Sequence, residues 1–252
     1  MGVVVDGGGG TLVAGLHDMH GHVDGWGGLF ALAAGVTSVR DMGNVNERLL
    51  ELEECFESGE LAGPTITRSG YLDGVRGPGG YGITPFTTPD KMIEAGYDEI
   101  THVNQLMLGW LIDETEDTLS PLRIMGLTRA AKLDLTSEPV RRTLNLMHDH
   151  GIGLDTTVCV MEGLLLCRDG KTLPGDEAIL DHLPPAYQHD RRHTYLPHES
   201  EEDLATYEQS FAKVMDTLRL LRAEGIPLWP GTDDNTGFSL HRELELYTQA
   251  GY

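Results

Sequence analysis

Short apolar segments alternate with amphipathic segments along the chain. The β-branched segment Gly35–Arg40 (GVTSVR) predicts a strand, and Asn46–Ser58, with leucine and glutamate at helical spacing, predicts a helix. The alternation continues toward the C-terminus. It predicts strands at Pro64–Ser69, Glu99–Val103, Ile152–Val160 and Ile226–Trp229, and helices at Gly28–Ala34, Pro89–Ala95, Glu138–His150 and from Ser200 to Gly225. Strands that alternate with helices are typical of an α/β protein with a parallel sheet, open or closed.

The charge balance excludes some partners. The chain has 40 acidic and 18 basic residues, a formal net charge of −22. Such a surface repels nucleic acid and anionic lipid, and no apolar run is long enough to span a membrane. We therefore expect no nucleic-acid or membrane partner. Because the N-terminus lacks the pattern of a signal peptide, we also expect a cytoplasmic protein. The cysteines (Cys55, Cys159, Cys167) form no C-x-x-C pair, and we expect reduced, mostly buried thiols.

The stretch Leu16–Asp24 (LHDMHGHVD) concentrates histidine and aspartate. Side chains of a strand alternate between its two faces, so Asp18, His20 and His22 share one face and His17 lies on the other. Two neighbouring imidazoles on one inner face are suited to a divalent metal such as zinc, iron or manganese. We expect His17 to pack beneath a helix instead.

A second H-x-H pair, His148 and His150, has a different setting. It ends a predicted helix just before Gly151. On a helix, residues two apart point in nearly opposite directions, and histidines in the last turn complement the helix dipole. We therefore expect no metal at this second pair.

Four segments, in order, resemble the amidohydrolase superfamily in its imidazolonepropionase-like and Xaa-Pro dipeptidase (prolidase)-like branch. They are LVAGLHDMHGHV (12–23), similar to the first barrel strand, GVTSVRDMGN (35–44), similar to the second, AGYDEITHVNQLML (95–108), similar to the sixth, and PGTDDNTGFSLHRELELYTQAG (230–251), similar to the eighth strand and its helix. The resemblance implies an α/β fold of the (β/α)8 TIM-barrel type, with the site at the carboxyl ends of the strands.

The resemblance also implies a metal site. His20 and His22 would be ligands from the first barrel strand and His102 a ligand from the sixth. Asp233 would bind the metal and act as the catalytic general base toward a metal-activated water. Strand parity and the usual T-D-A pattern favour Asp233 over Asp234. The expected cofactor is a divalent metal, with zinc the first choice.

Other residues of the resembling segments have open roles. We assign His241 and Tyr81 to substrate binding, and for His241 a structural role at the start of the last helix is equally compatible with the sequence. Arg40 and Asp41 end the second predicted strand, where we expect them to form a buried ion pair.

The chain departs from the family pattern in its middle. A metal-bridging lysine on the fourth barrel strand and a histidine on the fifth have no counterpart, and too few residues separate Pro64–Gly70 from Pro89–Gly96 for two β/α units of ~30 residues each. The flanking β-sandwich also lacks a counterpart. We therefore expect one domain over residues 1–252, an incomplete barrel without the fourth and fifth strands. The strands carrying Ile66 and Ile100 should then not pair directly.

These observations predict a metal-dependent hydrolase of amide or cyclic-amide C–N bonds. Xaa-Pro dipeptides are one candidate substrate class. With two ligand positions missing, we expect at most one metal and weak or absent activity. A catalytically inactive remnant, associating with copies of itself through exposed sheet edges, is the alternative. An acidic surface that binds cations without a defined site is a third, resting on net charge alone.

Overall fold

The computed structural model describes residues 4–69, 98–113, 115–116, 120–198 and 200–252, and it is a mixed α/β protein. Its strands are β1 (Leu16–Gly21), β2 (Val36–Asp41), β3 (Thr65–Arg68), β4 (Glu99–Thr101), β5 (Gly153–Asp155) and β6 (Leu228–Trp229). Its α-helices are α1 (Gly27–Ala33), α2 (Asn46–Ser58), α3 (Val103–Leu111), α4 (Leu122–Met125), α5 (Glu138–His150), α6 (Val158–Leu166), α7 (Pro185–Asp190), α8 (Glu201–Ala223) and α9 (Ser239–Gln249). Two 3-10 helices span Gly126–Lys132 and Leu180–His182. The predicted helix Pro89–Ala95 and Tyr81 lie outside the described residues.

The strands form two sheets of three, in the orders β1-β2-β3 and β4-β5-β6, and every ladder is parallel. Within the described residues the sheets do not close into the eight-stranded barrel that the resemblance implies. No ladder joins β3, which carries Ile66, to β4, which carries Ile100, as predicted. A single parallel bridge between Gly21 and Asp234 links the end of β1 to the segment after β6. This bridge brings the carboxyl ends of the two sheets together.

Two predicted helices have the expected bounds, Asn46–Ser58 and Glu138–His150. Each is followed by a glycine in the left-handed conformation, Gly59 at φ 79° and Gly151 at φ 66°. Glycine adopts this conformation without the penalty of a Cβ, so it ends a helix cleanly. The sequence signal is therefore strong at these two helix ends.

Two predicted strands are too long. The predicted strand Ile152–Val160 ends at Asp155, and α6 begins at Val158. The carboxylate of Glu243 accepts hydrogen bonds from the backbone N–H groups of Val158 and Cys159, which starts a helix despite the β-branched sequence. Likewise β4 ends at Thr101, and α3 begins two residues later.

Two hydrophobic clusters support the sheets. The larger lies around β4, β5 and the helices α3, α5, α6 and α8, and its fully buried members include Leu106, Leu154 and Leu218. The smaller packs α1 against β1, β2 and Leu240 of α9. As predicted, the cysteines are unpaired, with Cys159 and Cys167 buried and Cys55 partly exposed. Among the described helices, none combines the length and apolarity needed to cross a bilayer.

Candidate metal centre

Side chains from the carboxyl ends of three strands meet at the junction of the two sheets. His20 lies at the end of β1, His102 directly after β4, and Asp233 four residues after β6. One potential ligand atom of each lies within 4.8 Å of the others. His22 joins them, because its Nε2 is 2.8 Å from Asp233 Oδ1. The structure thus brings together all four residues for which the sequence predicts a metal role.

Backbone strain is concentrated at the same place. Among the described residues, three that are not glycine have positive φ: His102 at 65°, Thr157 at 45° and Asp233 at 52°. This region of backbone space is costly for side chains with a Cβ, and such strain persists where surrounding contacts hold it, often at functional sites. His102 and Asp233 are candidate ligands, and Thr157 contacts His102. The strain therefore marks the site independently of the side-chain types.

Each imidazole is held through its Nδ1 atom. His20 Nδ1 lies 2.6 Å from Asp155 Oδ2, His22 Nδ1 lies 3.0 Å from the Gly43 carbonyl oxygen, and His102 Nδ1 lies 2.7 Å from Thr157 Oγ1. A nitrogen that donates to such a partner leaves the other ring nitrogen free to bind a metal. For all three rings the nitrogen that remains for a metal is Nε2. On the His20 and His22 rings it faces Asp233, at 3.5 Å and 2.8 Å.

The rings of His20 and His102 differ in pKa. Burial lowers the pKa of His20, but hydrogen bonds to Asp155 and Asp233 outweigh it and raise that pKa to about 9. Burial, helped by the neighbouring His20, lowers the pKa of His102 to about 4. Burial opposes ionisation of Asp233, yet hydrogen bonds from His20 and His22 hold its pKa well below the usual range. Asp233 is therefore an ionised carboxylate among imidazoles at neutral pH.

Two further aspartates shape the loop after β6. Asp18 is buried and accepts hydrogen bonds from the backbone N–H and hydroxyl of Thr232, at 3.1 Å and 2.6 Å. Burial raises its pKa to about 7, although these hydrogen bonds oppose the shift. Asp234 accepts from the hydroxyls of Tyr187, at 2.6 Å, and Ser239. Asp234 thus fixes the loop, and Asp233 is the aspartate that meets the histidines, as strand parity predicts.

Sequence reasoning missed Asp155. This residue ends β5, is fully buried, and holds both His20 and, at 3.3 Å, the guanidinium of Arg40. An aspartate that ends an apolar strand was a usable signal, but the following Thr-Thr-Val run resembled a continuing strand. The predicted Arg40–Asp41 ion pair is also wrong, because Asp41 instead accepts from the backbone N–H groups of Val23 and Gly43.

Other sequence candidates lie elsewhere. His241 donates from Nε2 to the carbonyl of Ala34, at 2.7 Å, which ties α9 to the end of α1. His17 is exposed, so the expected packing beneath a helix is wrong. The side chains of His148 and His150 are exposed in the last turn of α5, away from the cluster, as predicted. Tyr81 lies outside the described residues.

A cavity of about 760 Å³ opens beside the cluster. Its lining includes His22 and Asp233 of the cluster and Arg48, Leu49 and Leu52 of α2. Its volume lies within the range typical of small-molecule sites. The candidate metal centre is therefore accessible to a substrate of small-molecule size.

Neither a protein-family model nor a curated protein matches the chain. Solved structures similar to it include a Xaa-Pro dipeptidase with methionine bound in its active site (17% identity, TM-score 0.47, covering 95% of this chain and 71% of that one). Others are a prolidase from Bifidobacterium longum (19%, 0.42, 95% and 65%) and the ochratoxinase of A. niger (16%, 0.49, 94% and 67%). The chain thus spans about two thirds of the length of these proteins. Prolidases and amidohydrolases are among the solved proteins to which this chain is similar.

Proposed function

We propose that the chain is a metal-dependent hydrolase of amide or cyclic-amide C–N bonds. The observation that carries this proposal is the shared orientation of the three imidazoles. Each is hydrogen-bonded through Nδ1, which leaves Nε2 as the metal-binding atom on His20, His22 and His102. Asp233 supplies a carboxylate oxygen at their centre. Three imidazoles and one carboxylate are a donor set suited to zinc.

The donor set fits one metal ion. Of the lysines in the described residues, Lys132 lies in a 3-10 helix, Lys171 in a loop and Lys213 in α8, and none belongs to the cluster. A bound divalent ion would polarise a substrate carbonyl and make a water molecule more acidic. We propose zinc as this ion, and a single site per chain.

Asp233 and His22 have separate roles in the proposed reaction. Asp233 is ionised at neutral pH and is placed to take a proton from the attacking water and return it to the leaving nitrogen. His22 hydrogen-bonds the same carboxylate and lines the cavity, so it lies between the reacting centre and the substrate pocket. Xaa-Pro dipeptides, whose size the cavity accommodates, are the first substrate class to examine.

We propose further that the two sheets are arcs of one incomplete amidohydrolase-type barrel, in a single domain. The Gly21–Asp234 bridge and the convergence of β1, β4 and β6 support this arrangement. Exposed sheet edges of such a barrel would favour association with a second copy, and the acidic surface disfavours nucleic acid.

Metal content tests the proposed site directly. Dialysed protein should retain about one zinc per chain, and a His20→Ala/His102→Ala variant should retain none. The matched control is His148→Ala/His150→Ala, which removes two exposed histidines and should keep the metal. Equal zinc content in all three proteins would refute the site.

Activity is measured separately on the zinc-loaded protein, with Xaa-Pro dipeptides, N-acyl amino acids and cyclic amides as substrates. We expect weak turnover that Asp233→Asn lowers by a further ~100-fold or more. Retained zinc without turnover of any of these substrates would favour the inactive remnant.

A further inference from the structure

Three consecutive polar residues, Asp155, Thr156 and Thr157, follow the apolar part of β5, and all are fully buried. Each side chain has a specific partner. Asp155 holds His20, Thr157 holds His102, and Thr156 donates to Glu243 at 2.6 Å. Two of the three candidate metal-binding imidazoles are thus oriented from one short segment, which itself contributes no ligand.

The backbone of the same segment also holds the backbone of one of those ligands, His102. The N–H of His102 donates to the carbonyl of Asp155 at 2.7 Å, and the N–H of Val103 donates to that of Thr156 at 3.0 Å. Thr157 keeps a left-handed backbone although its side chain is β-branched, which only surrounding contacts can enforce. The segment is therefore a rigid support with a fixed relation to the entry into α3.

The carboxylate of Asp155 makes its polar contacts through one oxygen. Oδ2 faces His20 Nδ1 and Arg40 Nη2, whereas the buried Oδ1 has no hydrogen-bond partner among the described residues. Asp41, by contrast, uses both oxygens and accepts from the backbone N–H groups of Val23 and Gly43. The geometry of Asp155 is instead directed at the imidazole.

We propose that Asp155 and Thr157 are positioning residues that hold His20 and His102 with the ring proton on Nδ1, so that both rings present Nε2 to a metal. The inference rests on the proposed metal site. A carboxylate can only accept, so the proton shared with Asp155 stays on Nδ1 of His20. An N–H that donates to a carboxylate also makes the ring a stronger ligand. Thr157 acts on His102 in the same way, with a neutral acceptor.

Asp155→Asn and Thr157→Val test the two contacts. Asparagine keeps the shape of Asp155 but can present an N–H to His20, which favours the wrong tautomer. Valine keeps the shape of Thr157 and removes its acceptor. We expect Asp155→Asn to weaken zinc binding ~10- to 100-fold, with Thr157→Val acting in the same direction. The measurement is the zinc dissociation constant, by competition with a chelator.

Matched controls separate positioning from stability. Asp176→Asn removes a buried aspartate that pairs with Arg191 at 3.0 Å. Thr156→Val removes a buried hydroxyl of the same segment that contacts no histidine. Both controls should bind zinc as the wild type does, even where they lower the unfolding temperature.

Ring ¹⁵N and ¹H resonances of the zinc-loaded proteins give a readout that a loss of stability alone does not change. The wild type should show protonated Nδ1 and metal-bound Nε2 on His20 and His102. In Asp155→Asn the His20 pattern should change and the His102 pattern should not; in Thr157→Val the reverse should hold. If Asp155→Asn does not fold, Thr157→Val alone decides the question.

The outcomes distinguish this inference from the function it rests on. Zinc affinities within twofold of wild type in both variants, with unchanged ring resonances, would overturn the positioning role and leave the metal site intact. A wild type that binds no zinc would overturn the metal site, and this inference with it.

Discussion

Arg40 on β2 and Glu99 on β4 form a two-armed ion pair that joins the two sheets, with Arg40 Nη1 2.7 Å from Glu99 Oε2. The same guanidinium donates through Nε to the carbonyl of Met19 at 2.7 Å and lies 3.3 Å from Asp155. One side chain thus contacts β1, β4 and β5 from its place on β2. Because β3 and β4 share no ladder, this cation provides a second connection between the sheets, in addition to the Gly21–Asp234 bridge.

Removing that cation should destabilise the protein and loosen the site. Arg40→Met keeps much of the apolar stem but leaves the carboxylate of Glu99 without its counter-ion and leaves Asp155 with His20 alone. We expect a loss of about 2–3 kcal/mol in the free energy of unfolding, measured by urea denaturation of the metal-free protein. Arg129→Met, which breaks an exposed pair with Glu116, is the control and should change the midpoint far less. Equal effects would show that the Arg40 pair is an ordinary surface pair.

The four candidate ligands could be predicted because they lie at, or shortly after, the ends of short, recognisable strands. A strand's period of two separates His20 and His22 from His17, and the resemblance to a barrel places His102 and Asp233 at the same end of the sheet. The second H-x-H pair, His148 and His150, could be excluded as a metal site by the same periodicity argument, because it lies on a predicted helix. Strand periodicity therefore identified the histidine pair, and the resemblance identified His102 and Asp233.

Other features depend on partners far along the chain. The helix at Val158 begins where Glu243, 85 positions later, accepts its first N–H groups. The ion pair of Arg40 involves Glu99 and Asp155 rather than the adjacent Asp41. Neither the local propensity of Thr-Thr-Val nor the neighbourhood of Arg40 contains this information, because tertiary contacts override local preference.

Gly231 is required by the close approach of β1 and β5. A Cβ added there would lie 2.4 Å from His20 Cβ and 2.5 Å from Asp155 Oδ1. We expect Gly231→Ala to cost about 1–3 kcal/mol of stability and to lower zinc affinity, since it displaces the oriented imidazole. Gly163→Ala in α6 is the matched control, because its added Cβ meets nothing within 4 Å. There the better helix propensity of alanine should leave stability equal or higher. Calorimetric unfolding of both variants checks the contrast.

The thiols should differ in reactivity. Cys55 is partly exposed and lines the cavity, whereas Cys159 and Cys167 are buried. A water-soluble disulfide reagent should therefore label one thiol per native chain and all three after unfolding. That one reaction should be slow at neutral pH, because burial and the neighbouring Glu60 raise the pKa of the Cys55 thiol. Cys55→Ser should abolish the native-state labelling. Labelling of a second thiol in the folded protein would contradict the described packing of α6.

Glu243 should give the folded protein a pH-dependent stability. It is fully buried, and burial raises its pKa to about 7, although hydrogen bonds from Thr156, Val158 and Cys159 oppose the shift. A carboxyl group whose pKa is higher in the folded than in the unfolded protein stabilises the folded state. This contribution is complete below the ordinary pKa of 4.5 and is lost as the pH rises to about 7. Glutamine at this position cannot titrate. The stability advantage of the wild type over Glu243→Gln should therefore shrink between pH 4.5 and pH 7 and stay constant above.

Urea unfolding of both proteins at intervals from pH 4.5 to 8 measures this difference, with Glu245→Gln as the control. Glu245 lies on the same helix, and its side chain is mostly exposed beside Arg242, so its replacement should produce no comparable trend. At the upper end of the range, Glu243→Gln should still be less stable than the wild type by about 1–3 kcal/mol. The NH2 of the glutamine amide would face a backbone N–H group that now donates a hydrogen bond to the carboxylate. That buried N–H group would then lose its acceptor. A difference that is flat with pH would mean that Glu243 stays ionised throughout, held by the N–H groups that begin α6.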